Sequence, residues 1–248
     1  MSNQTTPLCV ALFFGGVSSE HEISCISAAA WVGALSVSPC REKYQVIRVG
    51  ITKDGRWLRY DGNTAAMADG SWQQDASCRP CVISPDRSVH GLLEQQPDGS
   101  WKAIRVDVAV PVLHGKNGED GTIQGLFEIA GIPYVGCGVL GSVVCMDKAV
   151  ANTLMDASGV PHCQWTWASA WEAADFDALA ARVEAKLAYP IFVKPANAGS
   201  SVGISKAHSR EELRRRRAES VRNVKSTNGR ISLGRPQEMW KEGDEWLD

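Results

Sequence analysis

The stretch LCVALFFGGVSSEHEIS, Leu8 to Ser24, decides the fold class. Leu8 to Phe14 is an unbroken apolar run ending in Gly15-Gly16. A strand buried on both faces of a parallel sheet reads this way, because neither face needs polar side chains. Beyond the glycines, Ser19 and Glu22 have the S-x-x-E spacing of a helix capping box. Ile23, Ile26, Ala30 and Ala34 then recur at helical spacing. The chain thus opens as strand, glycine turn, helix.

Working outward, Tyr44 to Ile51 is a second strand, and Thr52 to Trp57 is a hairpin turn that returns through Trp57-Leu58. Gly62 to Gly99, rich in Gly, Ser, Asp, Gln and Pro, reads as peripheral strands and loops. Val106 to Leu113 is another buried strand that opens into His114 to Gly121. A helix from Thr122 to Ala130 follows, with Gly131 as its stop, and then a short strand from Ile132 to Gly136. Strands alternating with helices imply an α/β fold built on a parallel sheet. One helix carrying Met146-Asp147-Lys148 is expected to run to Ser158, followed by a strand over Val160–Trp167 and a helix over Ser169–Leu187. Tyr189–Pro195 and Val202–Lys206 are two strand-like runs joined by a small-residue loop, and they mark a second domain beginning near Val143. From Arg214 to Asp248 aliphatic residues are few and no period is sustained, so a helix starting at Arg210 loses its apolar face. This composition is that of a disordered tail.

A formal net charge of −2 gives no electrostatic case for nucleic acid or an anionic membrane surface. The apolar runs, such as Val139–Met146, are too short to span a bilayer. Met1–Pro7 lacks the basic start and apolar core of a secretory signal, so a cytoplasmic location is expected. Of eight cysteines only Cys78 and Cys81 form a C-x-x-C, with no second pair at zinc-binding spacing. They read as reduced thiols in a loop.

Ligands of open α/β sheets bind outside the carboxyl ends of the strands, where Gly15–Glu22 and His114–Gly121 fall. Glu20 suits a substrate ammonium, and it equally suits a first helical turn that matches the helix dipole; the pattern leaves both open. Glu22 reads as a capping partner. His114, where a strand ends in a glycine-rich loop, is open between a structural and a functional reading. Glu119 and Asp120 read as the polar start of the following helix. In KPANAGSSVG, Lys194 to Gly203, small residues between two strands allow a loop whose N–H and hydroxyl groups surround phosphate oxygens, with Lys194 as a compact cation. A Walker A loop is absent, and Gly15-Gly16-Val17-Ser18 does not match G-x-G-x-x-G.

In combination, FGGVSSEHEIS (Phe14–Ser24), LHGKNGEDGTIQG (Leu113–Gly125), IPYVGCGVLGSVVCMDK (Ile132–Lys148) and IFVKPANAGSSVGISK (Ile191–Lys206) resemble the D-alanine–D-alanine ligases, over roughly residues 8 to 213. Ile51–Trp57 resembles the longer-form ligases. The resemblance implies an N-terminal parallel-sheet, Rossmann-like pre-ATP-grasp domain over residues 1–142 and the first half of an ATP-grasp domain over 143–213. It leaves 214–248 as an aberrant tail, truncated or frameshifted after about Leu213. It also implies a cell-wall ligase in which ATP phosphorylates the carboxylate of one D-alanine and the amine of a second attacks the acyl phosphate. Glu20 would bind the first substrate's ammonium, with His114 beside it. Lys148 and Lys194 would contact ATP phosphates, Ser200 and Ser201 would lie in the loop closing over them, and Ser200 would be linked by hydrogen bonds to the Glu20 site. The family's Mg²⁺ ligands have no counterpart in the tail, so this chain is expected to lack a metal site and to be inactive by itself. Homodimerisation through the first domain is implied as well. A non-catalytic fragment that binds an amino acid or pairs with a full-length ligase, and a ligase joining D-alanine to D-lactate or D-serine, are the alternatives.

Overall fold

The computed structural model describes residues 6–169, 171–172, 175–223 and 230–234. The chain divides into a unit of residues Met1–Val143 and a unit of residues Val144–Asp248.

The first unit is organised by β1 (Leu8–Gly15), which pairs in parallel with β2 (Tyr44–Ile51) on one side and β7 (Val108–Pro111) on the other. Its apolar run is explained by its two covered faces. Val10, Leu12 and Phe14 point into one cluster, with Cys25, Ala28 and Val32 of α1 (His21–Leu35). Ala11 and Phe13 point into the other, with Ile123, Phe127 and Ala130 of α4 (Thr122–Ala130). The sheet is mixed rather than wholly parallel. Beyond β2, the strands β3 (Trp57–Tyr60), β4 (Arg79–Ile83), β5 (Gly91–Gln95) and β6 (Trp101–Arg105) extend it in antiparallel steps, giving the order β6-β5-β4-β3-β2-β1-β7. The short strand expected at Ile132–Gly136 reduces to one parallel bridge between Tyr134 and Ala109.

The segment read as peripheral holds part of the core. A short helix α3 (Thr64–Asp69) and a 3₁₀ turn at Ser71–Gln74 place Trp72, fully buried, edge-on to Phe14 with ring centroids 4.8 Å apart. Its indole lies where a Cβ on Gly50 of β2 would sit, so strand and indole are mutually fitted. Trp72→Ala should therefore cost about 3–5 kcal/mol, measurable as a drop in the urea midpoint. A loss below about 1 kcal/mol would show that the indole is dispensable.

In the second unit the helix expected through Met146-Asp147-Lys148 is two helices, α5 (Val139–Met146), which crosses the boundary between the units, and α6 (Lys148–Ala157). The strand β8 (Trp165–Ser169), the helix α7 (Phe176–Glu184), and the strands β9 (Ile191–Pro195) and β10 (Ser205–Ala207) follow. Helix α7 is shorter than the expected Ser169–Leu187.

The structure corrects the reading of residues after Leu213. Helix α8 runs from Arg210 to Asn223, and Arg230–Gly234 forms β11, a central strand in the antiparallel order β10-β9-β11-β8. Ile231 and Leu233 are fully buried with Val193, Phe176, Leu179 and Leu213. The Arg214 guanidinium lies 4.4 Å from the Phe176 ring centroid, so arginine stems cover what looked like a lost apolar face. The expectation for 224–229 and 235–248 lies outside the described residues.

Candidate functional site

In the first unit the two glycine-bearing loops leave adjacent parallel strands, β1 and β7, at their carboxyl ends. Gly15 and Gly16 have φ of 84° and 95°, and the Gly16 N–H donates to the Ile51 carbonyl at 2.8 Å. Ser24 Oγ accepts from Gly15 N at 2.9 Å and donates to the Val112 carbonyl, so one hydroxyl joins the β1 turn, α1 and the end of β7. Ser18 Oγ donates to the His114 carbonyl at 2.7 Å and accepts from Glu20 N at 3.1 Å. The capping box is not formed. The N-cap of α1 is Glu20, without a side-chain cap bond, and Glu22 pairs with Lys53, whose hydrogen bond holds the Glu22 carboxyl below its usual range.

Glu20 is buried, at 8% exposure, and its carboxylate lies against Gly115, where any Cβ would collide with it. Glu20 and the His114 loop are thus brought together, and Gly115 (φ 69°) is the residue that permits it. His114 is half-buried, and its Nε2 has no hydrogen-bond partner within the chain. Glu119 accepts from Gly115 N at 2.7 Å, and Asp120 accepts from Asn117 N and Thr122 N, so both carboxylates shape the loop and the α4 start. Sequence reasoning missed His21, which is buried at 2% exposure. Its Nδ1 donates to the Gly16 carbonyl at 2.7 Å and pins the glycine turn from below.

In the second unit Asp147 separates α5 from α6 because it is the N-cap. Its Oδ1 accepts from Ala149 N at 2.9 Å and Val150 N at 3.1 Å, a cap worth roughly 1 kcal/mol. Lys148 N donates to the Ala196 carbonyl at 2.9 Å, and Lys148 Nζ donates to the Ala198 carbonyl at 2.5 Å, which seats α6 on the loop after β9. Burial, and then the nearby Lys194 ammonium, push the Lys148 pKa down, while Asp147 opposes them. Lys194 Nζ lies 5.8 Å from the Phe192 ring centroid, and Lys206 Nζ of β10 lies 5.9 Å from it. In the loop, Ser200 and Ser201 are exposed and left-handed, at φ 45° and 58°. The structure therefore brings Lys148, through its bond to the Ala198 carbonyl, beside the serine loop and near enough to Lys194 for that ammonium to disfavour its own, an arrangement that a bound anion would relieve.

The C-x-x-C pair is not such a site. Cys81 lies in β4 rather than in a loop, and burial raises its thiol to about 12; Cys78 Sγ donates to the Trp72 carbonyl at 3.2 Å. Among the described residues no three His, Cys, Asp or Glu side chains gather as a metal site.

Family models for the D-ala D-ala ligase N-terminus and C-terminus match residues 9–137 and 154–226. The chain belongs to the D-alanine–D-alanine ligase family. The second match continues past Leu213, in keeping with the length of α8. The D-alanine–D-alanine ligase of Caldicellulosiruptor bescii is 49% identical over 210 residues, covering 84% of this chain and 55% of that protein. A putative D-alanine–D-lactate ligase of Streptomyces coelicolor is 44% identical over 206 residues, covering 83% of this chain and 54% of that one. Among solved structures, the VanG D-Ala:D-Ser ligase of Enterococcus faecalis superposes with a TM-score of 0.81 at 36% identity, covering 93% of this chain and 63% of that one. The D-alanine–D-alanine ligase of Coxiella burnetii gives 0.74 at 29% identity, with 92% of this chain and 64% of that one covered. The chain spans about half the length of the curated ligases it matches. The neighbours identify the second unit's sheet with the ATP-grasp fold.

Proposed function

We propose that this chain is the amino-acid-recognising and phosphate-holding part of an ATP-dependent ligase that joins two D-alanines for peptidoglycan precursor synthesis in the cytoplasm. ATP is the co-substrate. Its γ-phosphoryl group passes to a carboxylate oxygen of the first D-alanine as the bond to the β-phosphate oxygen breaks and ADP leaves. The amine of the second D-alanine attacks the acyl carbon, and the C–O bond to phosphate breaks as the amine loses a proton. The work of the chain is orientation and charge neutralisation. Glu20 holds the substrate ammonium with His114 beside it, and Lys148 and Lys194 neutralise phosphate oxygens under the Ser200–Ser201 loop.

The observation that carries this reading is the pairing of Lys148 with Lys194 beside a small-residue loop, in a chain of this family. Magnesium, which the family resemblance brings with it, is not matched by the described residues. Asp147, the carboxylate beside Lys148, is committed to the α6 N-terminus, Asn197 and Arg230. Because the chain spans about half of its relatives' length, the 248-residue polypeptide assayed by itself with ATP, Mg²⁺ and D-alanine is expected to release phosphate far more slowly than a full-length relative. Turnover near that of the relative overturns this. Supplying D-lactate or D-serine as the second substrate tests the alternative raised by the D-lactate and D-Ser ligases among its relatives.

Pairing of two copies through the first unit belongs to the same proposal. The outward side of α1 carries Ile23 and Ile26, each 52% exposed, an apolar face suited to a second copy. No helix among the described residues is long and apolar enough to cross a membrane.

A further inference from the structure

Asp147 is 2% exposed and bears more partners than an N-cap needs. While its Oδ1 caps α6, its Oδ2 accepts from Asn197 Nδ2 at 3.1 Å and from Arg230 Nη2 at 2.5 Å. The Arg230 carbonyl in turn accepts from Ala196 N at 3.1 Å, and the Ala196 carbonyl accepts from Lys148 N at 2.9 Å. A closed ring of contacts therefore runs from β11 through Asp147 to the residue next to it, Lys148. Arg230 lies in the stretch whose sequence shows no functional signal.

Asp147 and Lys148 are neighbours, and an unneutralised buried carboxylate would compete with any bound anion for the lysine ammonium. Instead the carboxylate is occupied by Arg230 and Asn197, and Lys148 Nζ reaches the other way, to the Ala198 carbonyl. Among the described residues the charged groups that act on Lys148 are Lys194 on β9 and Asp147 on its own helix, and Arg230 on β11 pairs with Asp147; Lys206 on β10 and Lys194 both lie near the Phe192 ring. We propose that Arg230 is a positioning residue for the phosphate site: it neutralises Asp147 so that Lys148 stays turned toward the 196–201 loop and available to a polyphosphate. This rests on the phosphate-binding reading given above and names a residue for it.

The test is calorimetric titration of the full chain with inorganic tripolyphosphate across a pH series. The variants are Arg230→Met, Arg230→Lys and Asp147→Asn, with folding verified by circular dichroism. Arg230→Met should weaken binding at neutral pH on the order of tenfold, and Arg230→Lys should recover most of it. The alkaline loss of binding reports Lys148 deprotonation, and there the two charge changes act in opposite senses. Without Arg230 the bare Asp147 charge stabilises the Lys148 ammonium, so the loss moves to higher pH, by about one unit. Without the Asp147 charge the ammonium is destabilised, and the loss moves to lower pH. A merely structural role would move both variants alike. Shifts in the same direction, or Arg230→Met binding like the parent, overturn the inference while leaving the phosphate site standing. A parent chain that binds no tripolyphosphate overturns the phosphate reading and this inference together. Should Arg230→Met fail to fold, the direction of the Asp147→Asn shift and the recovery by Arg230→Lys decide the matter.

Discussion

Gly15→Ala is expected to lower folding stability by at least about 3 kcal/mol and to remove amino-acid binding with it. Gly15 has φ 84°, a region that costs an L-residue about 1–2 kcal/mol. Its added methyl would meet the Ile51 carbonyl oxygen, a backbone atom already fixed by the Gly16 N–H, with His21 Cε1 only 3.0 Å away. Neither neighbour is free to yield. The carbonyl belongs to the end of β2, and the His21 ring is buried and bonded to Gly16. Relief would displace the turn that carries Ser18 and Glu20. Chemical denaturation measures the loss, and a change under about 1 kcal/mol would show that the turn is plastic.

The second large effect is expected at the two lysines. Lys194→Ala and Lys148→Met should each weaken ATP binding by about 10- to 150-fold, the value of one charged hydrogen bond of about 1.5–3 kcal/mol. The double variant should fall short of the product of the two losses. The Lys194 ammonium pushes the Lys148 pKa down in the free protein, so deleting Lys194 relieves Lys148. Secondary structure should survive in both, because Lys194 is half-buried on the sheet face opposite the core and the Asp147 cap does not depend on the Lys148 side chain. Isothermal titration with ATP gives the comparison; equal affinity in parent and variants would remove these lysines from the site.

These effects were unequally legible in the sequence. β1 could be read because burial on both faces leaves an unbroken apolar run, and the glycine turn because it follows that run directly. The antiparallel extension from β3 to β6 was obscured by short strands in polar surroundings. Trp72 carries no periodic signal, since a single indole entering from a 3₁₀ turn repeats nothing. The break at Asp147 was missed because Met146-Asp147-Lys148 is compatible with a continuing helix, and only the bonds from Ala149 and Val150 show the cap. In α8 the arginines hid an ordered helix, because hydropathy counts the charged tip and not the stem lying on Phe176. β11 does alternate, with Ile231 and Leu233 inward, but such a short alternation stands out only once its partners β8 and β9 are in place. At the site, Lys194 and the two loops had a physical rationale in advance. The Ser200–Ser201 loop was legible as a small-residue phosphate loop, the role of Lys148 came from family resemblance alone, and Arg230 and His21 came from neither.

The most direct test of the central claim is calorimetric titration of the full 248-residue chain, first with D-alanine and then with ATP. Saturable binding of each is expected, with D-alanine binding lost in Glu20→Gln and ATP binding lost in Lys194→Ala. A folded chain that binds neither ligand, or whose binding is indifferent to both substitutions, would contradict it.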